Sequence, residues 1–221
     1  MKGLAPHTSK IFDAICYLDC IKDYVLVGGT ALSIQISNRL SEDLDFMSWR
    51  SSKKEKREVN WYSIKNELEK IGKIESFDLL DIDHVEFVVD GVKLSFYANP
   101  NYSPLKEAIP FAGNLRLADK TAIGAMKMEV MMRRSNFRDY YDIYSLLEEG
   151  ESLKEMIDIA LRYSGHMLKS KNLLAMLSKS DRFTKDVGFT VLCPKYDVTP
   201  KDIEHRIITE ILDAQTDKIA P

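Results

Sequence analysis

The stretch Val27–Phe46, VGGTALSIQISNRLSEDLDF, decides the reading of this chain. It follows a short apolar run, Tyr24–Val27, which the glycine pair Gly28–Gly29 stops, as a buried strand entering a tight turn would be. Thr30 is placed to cap a helix through Ala31, Leu32, Ile34 and Ile36. Asp43–Met47 then alternates acidic with apolar side chains. In a strand, alternate residues share a face, so Asp43 and Asp45 are expected about 6–7 Å apart on one side while Leu44 points to the core. Two such carboxylates can share a divalent cation with phosphate oxygens. Gly28 and Gly29 leave room for backbone to approach phosphate, the following helix start offers amides and the positive end of its dipole, and Thr30 adds a hydroxyl. Arg39 and Ser41 stand just before the acids. Either half alone is weak: Gly-Gly is commonly a tight turn, and Asp-x-Asp is often a solvated face. Together, around one helix, they are specific.

Outward from this segment, Ile11, Ile15, Leu18 and Ile21 predict an opening helix over 8–22. Trp61, Ile64, Leu68 and Ile71 predict another, ended by Gly72. Ile74–Leu80, Val85–Val89 and Val92–Tyr97 read as strands, the last two joined at Asp90–Gly91, and Asn99–Pro104 as a loop. From about residue 115 the pattern turns helical, at roughly 117–134, 137–148, 152–163, 169–177 and 200–214, with Thr199–Pro200 opening the last. The fold class is therefore α+β: an α/β core over 1–114 and a helical half over 115–221.

The composition bounds the partners. With 221 residues, 45% hydrophobic, 29% charged and a net charge of −3, the chain suits a globular protein and not one that coats nucleic acid non-specifically. No run is long enough to span a membrane and no secretory leader opens the chain, so the expected location is the cytoplasm. Cys16, Cys20 and Cys193 lack zinc-site spacing. Residues 50–73 carry eight Lys or Arg against four acids, a polyanion-binding lip or simply solvated surface.

Lys127 lies four residues after Ile123 and three before Val130, beside the apolar stripe of its helix. An inward lysine needs an anion, either a phosphate or a buried carboxylate. Asp139 and Asp142, three apart on the next helix, can reach Lys127, Arg133 or Arg134, and an ion-pair network stitching two helices is the alternative to a site role. Tyr140, Tyr141 and Tyr144 are expected to pack between helices in preference to stacking a base.

Gly28 to Leu32, followed by Arg39, Ser41, Asp43, Leu44, Asp45 and Phe46, resembles the first motif of the AbiEii/AbiGii toxin family, the DUF1814 group of nucleotidyltransferase-fold proteins. Members often have His-Arg where this chain has Asn38–Arg39. Gly91–Tyr97 is similar to the family's second motif, a strand carrying a lysine, here Lys93, which is equally readable as an exposed strand lysine. Ala125–Leu147 is similar to its helical signature, with Lys127, Asp139 and Asp142 at the matching positions. Many polymerase-like relatives keep a third carboxylate on the second-motif strand; Ser95 stands there in this chain, with Glu86 on the neighbouring strand as a possible substitute.

The resemblance implies a nucleotidyltransferase-like mixed sheet with flanking helices and a helical-bundle half that completes the active-site cleft. It implies metal-dependent transfer of a nucleoside monophosphate from an NTP to an acceptor, with tRNA a candidate. Asp43 and Asp45 would hold Mg²⁺ or Mn²⁺. Gly28, Gly29, Thr30, Arg39, Ser41 and Lys93 would bind nucleotide, and Lys127 and Asp142 would join the catalytic set. It further implies a toxin of a toxin–antitoxin or abortive-infection system, with a cognate antitoxin as partner. Two alternatives stand beside it: the same chemistry on a protein or small molecule, and a non-catalytic nucleotide-binding regulator that retains the fold.

Overall fold

Val25, Leu26 and Val27 are all buried, and this three-residue strand organises the sheet around it. In the computed structural model, which describes residues 1–50, 52, 54–100, 106–164, 167–184 and 186–216, the chain divides into two units, Met1–Asp119 and Lys120–Pro221.

The first unit runs α1 (Pro6–Ile15), β1 (Val25–Val27), α2 (Gly28–Ile36), β2 (Leu44–Trp49), α3 (Trp61–Leu68), β3 (Ile74–Asp81), β4 (His84–Val89), β5 (Val92–Asn99), β6 (Ile109–Ala112) and β7 (Leu115–Leu117). Its seven strands form one mixed sheet in the order β3-β4-β5-β2-β1-β7-β6. β1 runs antiparallel to β2 and parallel to β7, β2 runs parallel to β5, and β3, β4 and β5 form an antiparallel meander. Period-two patterning sorts the faces. Leu44, Phe46, Leu94, Phe96, Val85 and Phe87 are fully buried on one side, with Phe46 stacked on Phe96 at 4.9 Å. Trp61 of α3 joins this layer 5.3 Å from Phe77, which lies 4.9 Å from Phe87. Asp45, Lys93, Ser95, His84 and Glu86 occupy the alternate positions and so share the opposite face.

Three features depart from the sequence reading. The opening helix begins at Pro6, whose missing N–H costs nothing in a first turn, and stops at Ile15. Leu18 is extended and Ile21 follows in a 3₁₀ turn, yet both are buried, so helical spacing continued past the helix itself. The β6–β7 hairpin was not anticipated. It turns at Gly113, with φ of 55°, and Leu117 pairs with Leu26, so the helix expected from 117 starts at Lys120. The loop expected over Asn99–Pro104 lies, from residue 101, outside the described residues; Asn99 itself closes β5.

The second unit contains α4 (Lys120–Val130), α5 (Phe137–Glu148), α6 (Leu153–Tyr163), α7 (Ser170–Leu177) and α8 (Pro200–Thr216), with 3₁₀ turns at Ser180–Arg182 and Phe189–Leu192. Ser152 caps α6 by accepting the Glu155 N–H at 3.2 Å. Tyr140 and Tyr141 are fully buried, Tyr140 stacking on Phe183 at 3.6 Å, which is the packing role expected of them. Among the described residues no helix is long and apolar enough to cross a membrane.

Candidate functional site

β1 ends directly in α2: Gly28, with φ of 70°, is already the first helical residue, and Val27 holds the cap position. Thr30 is therefore not the cap that its position suggested. It is buried within the helix, and its hydroxyl donates to the Asp43 carbonyl while lying 2.8 Å from the Ser41 hydroxyl. This ties the start of α2 to the segment that leads into β2. The same segment is held from outside by the N-terminus, a contact with no local sequence signal. The Ser41 N–H donates to the Gly3 carbonyl at 2.9 Å, the Ala5 N–H to the Ser41 carbonyl at 2.9 Å, and the Thr8 hydroxyl to the Glu42 carbonyl at 2.7 Å.

The glycine pair fits against charged side chains. A Cβ on Gly28 would lie 2.8 Å from Asp45 Oδ2, and one on Gly29 would collide with the Arg39 guanidinium. Arg39 is 4% exposed, so a cation is held beneath the glycine backbone at a helix N-terminus, where both favour an anion. Asn38 is buried and accepts from the Ser33 hydroxyl at 3.3 Å, so it supports α2.

Asp43 lies one residue before β2, and Asp45 is its second residue; Asp43 is exposed and Asp45 partly buried. Two carboxylates on this edge match the oxygen donors that Mg²⁺ or Mn²⁺ prefers, and the side-chain-free turn beside Asp45 leaves space for phosphate. Among the described residues no group of three or more His, Cys, Asp or Glu is arranged to hold a metal ion, so the donor set fits a cation shared with substrate and not a closed protein cage.

The register continues the site across the sheet. Asp45 pairs with Ser95 of β5, and Ser95 with Glu86 of β4. Glu86 Oε1 receives the Ser95 hydroxyl at 3.3 Å, lies 2.8 Å from Lys93 Nζ and is 3.4 Å from His84 Nε2. Hydrogen bonding to Glu86 raises the Lys93 pKa against partial desolvation, with Asp43 and Asp45 adding to the shift. Burial works against ionisation of Glu86, but Lys93, His84 and Ser95 outweigh it, and its pKa falls. The ring of His84 stacks on Tyr97 at 3.8 Å, and desolvation lowers its pKa.

Lys127 and Asp142 belong to the second unit. Lys127 Nζ lies 2.6 Å from Asp142 and 3.0 Å from Asp139, and Arg134 grips Asp139 with two hydrogen bonds of 2.9 and 3.2 Å. The anion that an inward lysine required is thus supplied by two buried carboxylates. Burial pushes the Asp139 pKa up, but the charges and hydrogen bonds of Lys127 and Arg134 bring it below the usual carboxylate value.

Three cations of the basic 50–73 stretch are ion-paired. Arg57 pairs with Asp83, Lys65 with Glu69 and Lys56 with Glu58. The stretch borders a cavity of about 520 Å³ whose lining includes Asp19, Asp23, Glu55, Glu58 and Glu67, so acid and not base dominates that surface.

A family model described as "Nucleotidyl transferase AbiEii toxin, Type IV TA system" matches residues 19–173, most of the chain, both charged clusters included. An uncharacterized protein of Aquifex aeolicus, aq_aa25, is 28% identical over 160 residues, covering 71% of this chain and 73% of that one. Among solved structures, the nucleotidyltransferase toxin MenT4 of Mycobacterium tuberculosis H37Rv aligns with a TM-score of 0.60 at 16% identity, over 90% of this chain and 80% of that one. JHP933 from Helicobacter pylori aligns with a TM-score of 0.56, also at 16% identity, over 98% of this chain and 97% of that one. At these identities the structural matches establish the shared fold.

Proposed function

This chain belongs to the AbiEii family of nucleotidyl transferase toxins, and we propose that it transfers a nucleoside monophosphate from an NTP to an acceptor hydroxyl, with tRNA as the acceptor. The observation that carries this reading is the convergence of the Gly28–Gly29 turn, buried Arg39 and the Asp43–Asp45 pair at one end of β1 and β2. Gly28, Gly29, Thr30 and Ser41 would receive the β- and γ-phosphates on the α2 amides, with Arg39 and Lys93 as the neighbouring cations. Asp43 and Asp45 would hold Mg²⁺ or Mn²⁺, which when bound neutralises charge on the α-phosphate and the leaving group. Lys127 and Asp142 are proposed as further requirements for transfer.

The chemistry requires NTP, which suits a cytoplasmic protein, and the family supports an antitoxin as its genetic or physical counterpart. The test is incorporation of a radiolabelled NTP into total tRNA. The wild-type chain is expected to label tRNA and the Asp43→Ala/Asp45→Ala variant to leave it unlabelled; equal labelling by both would sink the assignment. Labelling of protein or of a small hydroxyl compound instead would redirect the acceptor while keeping the reaction. Ser95, in place of a carboxylate on β5, favours a second reading, a nucleotide-binding regulator without turnover. Tight Mg-NTP binding in calorimetry with no transfer to any acceptor would support it.

A further inference from the structure

Transfer to a hydroxyl leaves a proton to be removed, and Asp43 and Asp45 are committed to the cation in the reaction proposed above. On the same face of the sheet, Ser95 is a poor proton acceptor, since an alcohol oxygen is only weakly basic; its hydroxyl donates to Glu86. Lys93 is a protonated amine held by Glu86 at 2.8 Å. His84 has its Nε2 directed at Glu86 Oε1, 3.4 Å away, and its ring stacked against Tyr97. Glu86 remains. Its three contacts, from Lys93, Ser95 and His84, converge on Oε1, the second oxygen takes no part in them, and the side chain is 23% exposed. The Ser95 contact carries the carboxylate over the position that pairs directly with Asp45, one strand nearer to the cation pair than Glu86's own backbone.

We infer that Glu86 is the proton acceptor of the transfer reaction, its carboxylate delivered across the sheet onto the Ser95 position and fixed there by Lys93. This rests on the proposed transfer. In the step itself, the acceptor oxygen forms a bond to the α-phosphorus, and the hydroxyl proton passes to Glu86 Oε2. The bond from the α-phosphorus to the oxygen bridging to the β-phosphate breaks, and its electron pair leaves with pyrophosphate. The ionised state needed for this is the one that Lys93 and Ser95 stabilise against burial. Lys93 is then a positioning residue as well as a cation near the phosphates.

The experiment compares the wild type with Glu86→Gln and with Glu86→Gln/Ser95→Asp, which moves the carboxylate from β4 to β5. Transfer of a labelled nucleotide is measured beside calorimetric binding of Mg²⁺ with a non-hydrolysable NTP analogue. Glu86→Gln is expected to lower kcat about 10²-fold, the usual worth of a positioned base, with analogue affinity within about threefold of wild type. Retained binding also shows that the variant is folded. The double variant is expected to recover about tenfold or more of the lost rate, which a structural role for Glu86 would not allow. Wild-type turnover matched by Glu86→Gln would overturn the assignment of Glu86 alone. So would a loss of analogue affinity equal to the loss of rate, because Glu86 would then act only through Lys93. Absence of transfer by the wild type would overturn the transferase reading itself.

Discussion

At the scale of single residues, two positions concentrate the constraints. Gly28 combines a left-handed backbone with a Cβ direction that points 2.8 Å from Asp45 Oδ2. Gly28→Ala is expected to cost about 1–2 kcal/mol of stability from backbone strain, read by urea denaturation. Displacing the Asp45 carboxylate is expected to reduce transfer about 10²-fold, as a misplaced ligand near the chemistry does. Lys127 presents the opposite case, a buried cation balanced by two carboxylates. Lys127→Met leaves those charges without their common partner and is expected to destabilise the protein by about 3–5 kcal/mol. The pH dependence has a definite sign. The folded pKa of Asp139 lies below the ordinary aspartate value, so its contribution to stability is complete above that ordinary value and is lost as pH falls through the folded pKa. Acid titration of Asp139→Asn should therefore show a shallower loss of stability below about pH 4 than the wild type. An unchanged acid limb would contradict the ion-pair account.

At the scale of elements, helix packing overrides local propensity. Gly124 lies inside α4, where alanine would ordinarily gain about 1 kcal/mol. A Cβ there collides with Met156 Sδ of α6 and comes within 3.0 Å of Leu146 Cδ1 of α5. Gly124→Ala is thus expected to destabilise by about 1–3 kcal/mol, and Met156→Ala in the same background to be less harmful than in the wild type. A double-mutant cycle in chemical denaturation measures this coupling; additive effects would refute the contact. The same logic governs the segment before β2, which is fastened by the N-terminal strap at Gly3 and Ala5 as well as by Thr30.

For the molecule as a whole, the question is what orders the charges around Asp43 and Asp45. Two carboxylates are a sparse ligand set for magnesium, which ordinarily completes its shell with water and substrate phosphate. Mg²⁺ alone is therefore expected to shift the thermal midpoint little. Mg²⁺ with an NTP at about 100 times its dissociation constant should stabilise by about 2.7 kcal/mol, and Asp45→Asn should remove most of that gain. An equal shift from Mg²⁺ without nucleotide would indicate a preformed metal site. The net charge of −3 and the ion pairs of Arg57 and Lys65 add a further expectation: binding of the proposed RNA acceptor at physiological salt should depend on specific recognition more than on bulk attraction.

The glycine turn, the strand that carries Asp45, the helical second half and the inward placement of Lys127 were legible in the amino-acid sequence, whereas Asp43, expected in that strand, lies one residue before it. Each is a local pattern, a periodicity or a residue whose backbone freedom or charge restricts its surroundings. The sequence alone left other features undecided, because they depend on contacts between segments far apart in the chain. Leu117 joins β1 because a parallel neighbour was available at Leu26, and that delayed the start of the helix expected from 117 to Lys120. Thr30 forgoes the cap because the Asp43 carbonyl lies within reach of its hydroxyl. Lys127 could have awaited a phosphate or a carboxylate; the fold brings Asp139 and Asp142 to it. Glu86 belongs beside Ser95 only through strand register, since nine residues separate them in sequence and one hydrogen bond joins them in the sheet.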